Sequence, residues 1–212
     1  MEIRDILHFP KIYPITDIVV SGMSHADQIR LLVKGGAELI QLREKRLFPR
    51  DWFDDARSSV AIARKAGVRL IINDRVDIAA AIGADGVHLG QDDLPPFAAR
   101  EILGASAIIG FSTHNIEQVR EAVKMPIDYL AFGPIFSTVT KRDADPTVGL
   151  RLLAEVKSYI GDLPLVAIGG IDGNNLSRVL AAGADSAAMI SSILKSESTI
   201  DVNLRAMIRA AC

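Results

Sequence analysis

The chain has 212 residues, of which 49% are hydrophobic and 24% are charged, and its formal net charge is -2. This composition is that of a globular chain with one sizeable core, and its mixed charges lack the basic stripe that nucleic-acid binding needs. The single cysteine, Cys212, cannot form an internal disulfide, and no apolar run is long enough to span a bilayer, so we expect a cytoplasmic protein with neither nucleic acid nor a membrane as partner.

Eight apolar runs along the chain predict buried strands, with helical stretches between most of them. Most runs are continuous rather than alternating, which is typical of parallel strands that are covered on both faces. The predicted strands are residues 12–15, 39–42, 70–72, 86–89, 107–111, 129–132, 165–168 and 186–190. Residues 1–10 precede them, and their apolar side chains predict a small cap segment over one end or edge of the fold.

A short tripeptide repeat marks junctions between helices and strands. Gly36, Gly83 and Gly183 are each followed by alanine and an acidic residue, just before the second, fourth and eighth predicted strands. Each glycine suits a helix C-cap, where a left-handed backbone costs glycine least. Eight β/α units predict an α/β fold, a single (β/α)8 TIM barrel over residues 1–212. The alternative is a doubly wound open sheet, which would gather polar motifs at one switch point rather than after almost every strand.

A basic motif, QLREK, follows the second predicted strand. Strand alternation would point Gln41, Arg43 and Lys45 to one side of the chain. The planar guanidinium of Arg43 can chelate a phosphate, and Lys45 adds a mobile positive charge. The alternative is a solvated charge cluster in a loop, in which Glu44 pairs with a neighbour. The motif alone does not decide between these interpretations.

Carboxylates follow the next two strands, at Asn73-Asp74 and at Asp92-Asp93. Neighbouring barrel strands bring these ends close together, and two carboxylates with waters and phosphate oxygens are a typical magnesium site. The alternative for each pair is a turn or a helix N-cap. Zinc is not expected, because the chain has no HExxH or CxxC motif and no histidine-rich cluster.

Two histidines lie near this predicted site. His88 falls within the fourth predicted strand, where its side chain could point into the barrel. His114 follows Ser112 and Thr113 at the end of the fifth strand. A lone histidine is more often a hydrogen-bonded structural residue than a catalyst, so both interpretations stay open.

The motif GPIFSTVTK follows the sixth predicted strand and is the most specific of the polar motifs. Thr138 and Thr140 offer hydroxyl groups and Lys141 offers positive charge. Residues 141–149 are polar and lack strong periodicity, which predicts a lid over bound substrate, the alternative being an idle surface loop. Glycines and serines follow the last two strands, at Gly169-Gly170 and Ser191-Ser192, where barrels of this kind often bind phosphate.

Six motifs occur here in the order in which one enzyme family has them: QLREK, ND, GQDD, GPIFSTVTK, AIGGI and MIS. From about Tyr13 to Leu194 the sequence resembles the thiamine-phosphate synthase (thiamine-phosphate pyrophosphorylase) family, whose superfamily also contains the thiazole tautomerases. The resemblance implies a transferase that joins a hydroxymethylpyrimidine diphosphate (the pyrimidine substrate) to a thiazole phosphate (the thiazole substrate). Diphosphate is released and thiamine phosphate is formed.

The resemblance also implies roles for individual residues, carried over by matching position. The residues implied to hold the pyrimidine substrate are Gln41, Arg43, Lys45, Asn73, Ser112 and Lys141, with Arg43, Lys45 and Lys141 acting catalytically on the leaving diphosphate. Magnesium is implied at Asp74 and Asp93. The residues implied to hold the thiazole substrate are Thr138, Thr140, Gly170, Ile190 and Ser191. Two alternatives remain on the same scaffold, a thiazole tautomerase and a non-catalytic phosphate-ligand binding protein, and the sequence leaves open whether the chain forms a homo-oligomer.

Overall fold

Eight parallel strands form one sheet that curls into a nearly closed barrel. The computed structural model describes residues 9–138, 146–195 and 199–211. The strands are β1 Ile12–Pro14, β2 Leu39–Leu42, β3 Arg69–Asn73, β4 Gly86–Leu89, β5 Ile108–Thr113, β6 Tyr129–Phe132, β7 Leu165–Ile168 and β8 Ser186–Met189. Each predicted strand is present to within two residues at either end, and the predicted TIM-barrel architecture is confirmed.

Helices separate the strands and surround the barrel. They are α1 Ile18–Ser21, α2 His25–Gly35, α3 Pro49–Lys65, α4 Val76–Ile82, α5 Pro96–Leu103, α6 Ile116–Ala122, α7 Gly149–Ile160, α8 Leu176–Ala181, α9 Ser191–Leu194 and α10 Ile200–Ala210. The repeated glycines Gly36, Gly83 and Gly183 all have left-handed backbones just after helices, as predicted. Across the described ranges, no helix combines the length and the apolar character needed to cross a membrane.

The strands pair in the order β1-β8-β7-β6-β5-β4-β3-β2, so the ring has one weak seam, between β1 and β2. A single bridge, between Ile15 and Gln41, spans this seam. The N–H of Thr16 donates to the carbonyl of Gln41 at 2.8 Å and adds one backbone hydrogen bond there. The barrel is therefore closed at β1 and β2 by far fewer backbone contacts than elsewhere.

Side chains alternate along each strand between the barrel interior and the layer under the helices. On β3, Leu70 and Ile72 pack in the outer apolar layer, whereas Ile71 belongs to the inner one. The inner layer also contains the rings of Tyr13 and Tyr129. Of the predicted cap segment, the structure describes only Phe9 and Pro10. The ring centroid of Phe9 lies 4.8 Å from that of Tyr129.

Strand register sets one level of the barrel interior. Asn73 pairs with His88, His88 with Gly110, and Gly110 with Tyr129 across four consecutive strands. Gly110 has no side chain to fill its place, and a Cβ there would lie 2.0 Å from Cζ of Tyr129. The absence of a side chain at Gly110 therefore lets the Tyr129 ring lie across β5 towards His88.

Candidate active site

Lys45, Asp74 and Asp93 meet at the carboxyl ends of β2, β3 and β4. Nζ of Lys45 donates to Oδ2 of Asp74, and the Asp74 and Asp93 carboxyl groups lie close enough to share a hydrogen bond. Burial raises the pKa of Asp74, the neighbouring Lys45 ammonium opposes that rise, and the charge of Asp93 adds to it, so the pKa is raised overall. Three side chains from distant parts of the sequence therefore form one charged cluster at the barrel mouth.

The backbone after each strand aims these carboxylates at one another. Asp74 has a left-handed backbone (φ 62°), a conformation that aspartate tolerates better than most residues, and its N–H donates to the carbonyl of His88 at 2.8 Å. Oδ2 of Asp93 accepts the N–H of Gly90 at 2.7 Å. The helices that follow have no side-chain cap, since α4 begins after Arg75 and α5 after Pro95. Helix capping by these aspartates is therefore wrong, whereas the other part of the alternative interpretation, a position in a turn, is correct for both pairs.

Asn73 stands beside this cluster with an unused donor. Its side chain is buried, with 7% of the residue exposed, and its Nδ2 has no hydrogen-bond partner among the described residues. A buried donor without an acceptor typically costs about 1–3 kcal/mol. A ligand oxygen at the mouth would remove that cost.

The three side chains of the basic motif do not point to one side, contrary to the expectation from strand alternation. Gln41 lies inside the barrel and donates from Nε2 to the Tyr13 hydroxyl at 3.2 Å. Arg43 donates from Nη1 to Oδ2 of Asp17 at 2.6 Å, towards β1, whereas Lys45 reaches towards β3. Because β2 ends at Leu42, the alternation of side chains does not continue beyond it. Arg43 and Lys45 instead point towards the carboxylates with which they pair.

Glu44 is buried and holds the loop after β2 in place. Its Oε1 accepts the N–H groups of Arg46 at 2.6 Å and Leu47 at 3.1 Å. Burial raises the pKa of Glu44, but these two N–H groups and His25 lower it below its ordinary value overall. Glu44 pairs with a neighbour, as the alternative interpretation expects, and it is buried with 8% exposed, whereas Lys45 and Arg46 in the same loop are exposed.

That neighbour, His25, was not a candidate in the sequence. Its Nε2 lies 3.3 Å from Oε2 of Glu44, and its Nδ1 lies 2.8 Å from the Thr16 hydroxyl. Burial lowers the pKa of His25 despite the nearby carboxylates, so the ring is neutral at neutral pH. The Thr16 oxygen also accepts the N–H of Arg43 at 3.2 Å. Glu44, His25 and Thr16 thus connect α2 to the loop that presents Arg43 and Lys45.

His88 lies in β4 and points into the barrel, as predicted. Its Nδ1 lies 2.8 Å from the Tyr129 hydroxyl and its Nε2 lies 2.8 Å from the hydroxyl of Ser112. Burial lowers the pKa of His88 to about 4. The Tyr129 hydroxyl in turn lies 3.1 Å from that of Tyr13. The other histidine, His114, places Nδ1 2.7 Å from the carbonyl of Gly133.

The other side of the mouth, after β6, β7 and β8, consists mainly of backbone. Gly170 has a left-handed backbone (φ 64°), and a Cβ there would lie 2.5 Å from the carbonyl oxygen of Ser137. Ile190 immediately precedes α9, Ser191 is exposed at its first position, and Thr138 is half-buried. Thr140 and Lys141 lie outside the described residues. Of the predicted lid, residues 146–149 are described, and Gly149 already begins α7.

Two carboxylates alone do not surround a metal ion. Within the described ranges, no group of three or more His, Cys, Asp or Glu side chains could hold one. Mg²⁺ is usually bound through one or two carboxylates, with waters and substrate phosphates supplying the remaining oxygens. The Asp74–Asp93 pair has the donor set that this kind of site needs.

Comparisons with known proteins agree with the geometry. A family model described as thiamine monophosphate synthase matches residues 12–193. A thiamine-phosphate synthase from Syntrophomonas wolfei subsp. wolfei is 47% identical over 184 residues, which is 86% of this chain and 88% of that protein. One from Clostridium novyi is 46% identical over 188 residues, covering 88% and 92% of the two chains. The solved thiamine phosphate pyrophosphorylase from Pyrococcus furiosus superposes with a TM-score of 0.86 at 33% identity, covering 95% of each chain.

Proposed function

The chain belongs to the thiamine monophosphate synthase family and is a transferase of thiamine biosynthesis, and from that premise we propose how its barrel mouth works. The cluster of Lys45, Asp74 and Asp93 is the observation that carries the proposal. The pyrimidine substrate binds beside it with its diphosphate over β2, β3 and β4. The thiazole substrate binds against the loops after β6, β7 and β8. A cytoplasmic location fits a chain whose one cysteine cannot form an internal disulfide.

Asp74 and Asp93 are the proposed magnesium ligands. Burial raises the pKa of Asp74 and the charge of Asp93 adds to that rise, so the pair is held together at an electrostatic cost when both carboxylates are ionised. A divalent cation between them offsets that cost. When bound, Mg²⁺ supplies neutralisation of the negative charge on the diphosphate. Lys45, already paired with Asp74, is placed to contact the same anion.

The proposed reaction depends on charge neutralisation more than on proton transfer. The electron-rich aminopyrimidine can stabilise a methylene cation, so the carbon–oxygen bond breaks before the thiazole nitrogen attacks. Arg43, Lys45 and Lys141 neutralise the leaving diphosphate, and the free amide donor of Asn73 adds a hydrogen bond. Water must be kept out, because it would trap the cation. The engagement of both nitrogens of His88 by hydroxyl groups supports a mechanism without a histidine base there.

The thiazole substrate needs a fixed position in line with the breaking bond. Its phosphate binds the backbone around Gly170, Ile190 and Ser191, with hydroxyl groups from Thr138 and Thr140. The left-handed backbone of Gly170 supports this role, because a side chain there would collide with the chain that leads from β6. The two substrates are thus bound by opposite sides of one opening.

A direct assay tests the proposal. Purified protein incubated with both substrates and Mg²⁺ should form thiamine phosphate and diphosphate, and a chelator should abolish the reaction until Mg²⁺ is restored. Isomerisation of a thiazole substrate without coupling would instead identify a tautomerase. Tight binding of both substrates without product would identify a binding protein. Full activity in chelator would contradict the roles of Asp74 and Asp93.

A further inference from the structure

A continuous chain of hydrogen bonds crosses the inside of the barrel. Its five members, in order, are Gln41, Tyr13, Tyr129, His88 and Ser112, with donor–acceptor separations of 3.2, 3.1, 2.8 and 2.8 Å. The family resemblance implies that both end members hold the pyrimidine substrate, whereas the three between them lie inside the barrel with at most 7% of each residue exposed. We call this set the interior chain.

Hydrogen-bonding rules give the interior chain a direction. Gln41 turns its amide nitrogen, Nε2, towards Tyr13, and this atom can only donate, so the Tyr13 hydroxyl accepts from it and has one hydrogen to give. If it gives that hydrogen to Tyr129, then Tyr129 donates to Nδ1 of His88 and Nε2–H of His88 donates to Ser112. In the reverse direction the Tyr13 hydrogen has no acceptor among the described residues. The forward direction therefore gives an acceptor to the hydroxyl hydrogens of Tyr13 and Tyr129 and to the ring N–H of His88, and it leaves the Ser112 hydrogen unused.

From this direction we propose that Tyr129 and His88 are positioning residues that make the Ser112 hydroxyl a donor towards the pyrimidine substrate. The inference rests on the proposed function, because it takes Ser112 to contact that substrate. Diphosphate oxygens at neutral pH are acceptors and donate poorly, so a hydroxyl fixed as a donor favours them over a ligand group that donates. Specificity for an anionic group at this point thus originates at residues that never touch it.

The packing around Tyr129 and His88 holds their side chains in this arrangement. Tyr129 reaches His88 across β5 only because residue 110 is glycine, where a Cβ would lie 2.0 Å from the Tyr129 ring. The rings of His88 and Tyr129 are also stacked, with centroids 5.4 Å apart and an interplanar angle of 23°. The hydroxyl of Tyr129 has therefore little freedom to turn away from His88.

A double-mutant cycle on the full-length protein tests the proposal. Tyr129→Phe removes one hydroxyl, frees the Ser112 hydrogen to turn towards His88, and should raise KM for the pyrimidine substrate about tenfold, the worth of one lost hydrogen bond of ordinary strength. KM for the thiazole substrate should not change. In a Ser112→Ala background, Tyr129→Phe should have no further effect on KM. An unchanged KM in the single variant, or effects that multiply in the double variant, would overturn the proposal.

The third tyrosine provides a matched control. Tyr159 is 53% exposed on the outside of the protein, and Tyr159→Phe makes the same chemical change without touching the interior chain. It should leave both KM values as they are. Thermal unfolding of each variant separates a loss of folding from a loss of binding.

A second measurement needs neither substrate nor a variant of Tyr129. Nitrogen-15 NMR of the wild-type protein, with the His88 signals assigned by their loss in His88→Gln, reports which ring nitrogen holds the proton. A proton on Nε2 supports the proposed direction, and a neutral ring with its proton on Nδ1 overturns it. If the wild-type protein formed no thiamine phosphate while His88 had the Nε2 proton, the proposed reaction would fail and the direction of the interior chain would stand.

Discussion

The two sides of the barrel mouth, to which we assign the two substrates, are built differently. After β2, β3 and β4, charged side chains are held by other side chains: Lys45 by Asp74, and Arg43 by Asp17. After β7 and β8, the chain offers backbone at Gly170 and Ile190, with small side chains around it. The first side can change its charge when a metal ion or a diphosphate arrives. The second side has a fixed shape and suits a phosphate that stays attached throughout the reaction.

This difference indicates which side of the mouth lowers the stability of the ligand-free protein. The side after β2, β3 and β4, here called the side-chain half, holds two carboxylates in contact and gives Nδ2 of Asn73 no partner among the described residues; both features cost stability in the absence of ligand. The backbone half has satisfied contacts, since the carbonyl of Gly170 accepts the amide of Asn175 at 2.9 Å. Substitutions in the first half should therefore separate activity from stability, and substitutions in the second half should damage both.

The largest expected effect follows loss of charge in the carboxylate pair. Asp93→Asn should lower kcat by about 10²–10³-fold, since it removes a carboxylate proposed to hold the Mg²⁺ that neutralises the leaving anion, while the shape of the side chain is kept. Asp74→Asn should do the same and should also raise the unfolding midpoint without metal at neutral pH. The reason is that a raised carboxyl pKa in the folded state makes ionisation unfavourable there: the associated stability is present at low pH and is lost as pH rises through the folded pKa.

Steady-state kinetics and thermal unfolding check this pair of expectations. Asp92→Asn is the matched control, because Asp92 is exposed beside Asp93 and has no ion pair in the described structure. Its kinetics should equal those of the wild-type protein. Unfolding of Asp93→Asn at the growth temperature would mean that the carboxylate is structural.

A smaller effect is expected from the backbone half. Gly170→Ala should destabilise the protein by more than the roughly 1 kcal/mol that a left-handed alanine costs, because its Cβ would also lie 2.5 Å from the Ser137 carbonyl. KM for the thiazole substrate should rise, with KM for the pyrimidine substrate less affected. Gly67→Ala isolates the backbone cost, since Gly67 has a similar φ of 71° and open space around it. Equal destabilisation by the two substitutions would show that the contact with Ser137 is unimportant.

The smallest expected effect is a pH dependence of stability caused by His25, which helps to hold the loop after β2. The pKa of His25 is lowered by burial, so its neutral form contributes stability that is present above pH 6.5, its ordinary pKa, and is lost as pH falls towards the folded pKa. The slope should reach at most about 1.4 kcal/mol per pH unit. The charged groups facing the ring are Glu44, Asp55 and Asp17, whose attraction for a protonated ring reduces this slope.

Chemical unfolding at a series of pH values measures that slope. In His25→Gln the contribution of the ring is absent, so stability should fall less steeply below pH 6.5 than in the wild-type protein. Identical pH profiles for the two proteins would show that His25 does not titrate differently in the folded and unfolded chains.

The barrel was predictable because its signals are local. Continuous apolar runs give the strands, and glycines such as Gly36 and Gly83 mark the ends of helices that precede them. The meeting of Asp74 with Asp93 also followed from the sequence, since adjacent parallel strands bring their carboxyl ends together.

Side-chain partners were not predictable in the same way. Tyr13 and Tyr129 are 116 residues apart and look like ordinary core aromatics in the sequence, because their polar function comes from a contact between their hydroxyls. The bond of Arg43 to Asp17 likewise depends on how a loop turns after β2 ends. Strand alternation says nothing of a side chain beyond the last paired residue.

Arg43, which we propose neutralises the leaving diphosphate, also lies beside the seam between β1 and β2. Backbone pairing among the described residues there is limited to the bridge at Ile15 and Gln41 and the adjacent Thr16 bond, so side-chain contacts such as the ion pair of Arg43 with Asp17 contribute to closure. An anion that draws Arg43 away from Asp17 would break this ion pair and weaken closure of the barrel. By linkage, a stronger ion pair would weaken anion binding. We expect hydrogen exchange at the Thr16 amide to become faster when an anion binds. The exchange rate would then measure local opening of the barrel between β1 and β2 as a function of anion binding.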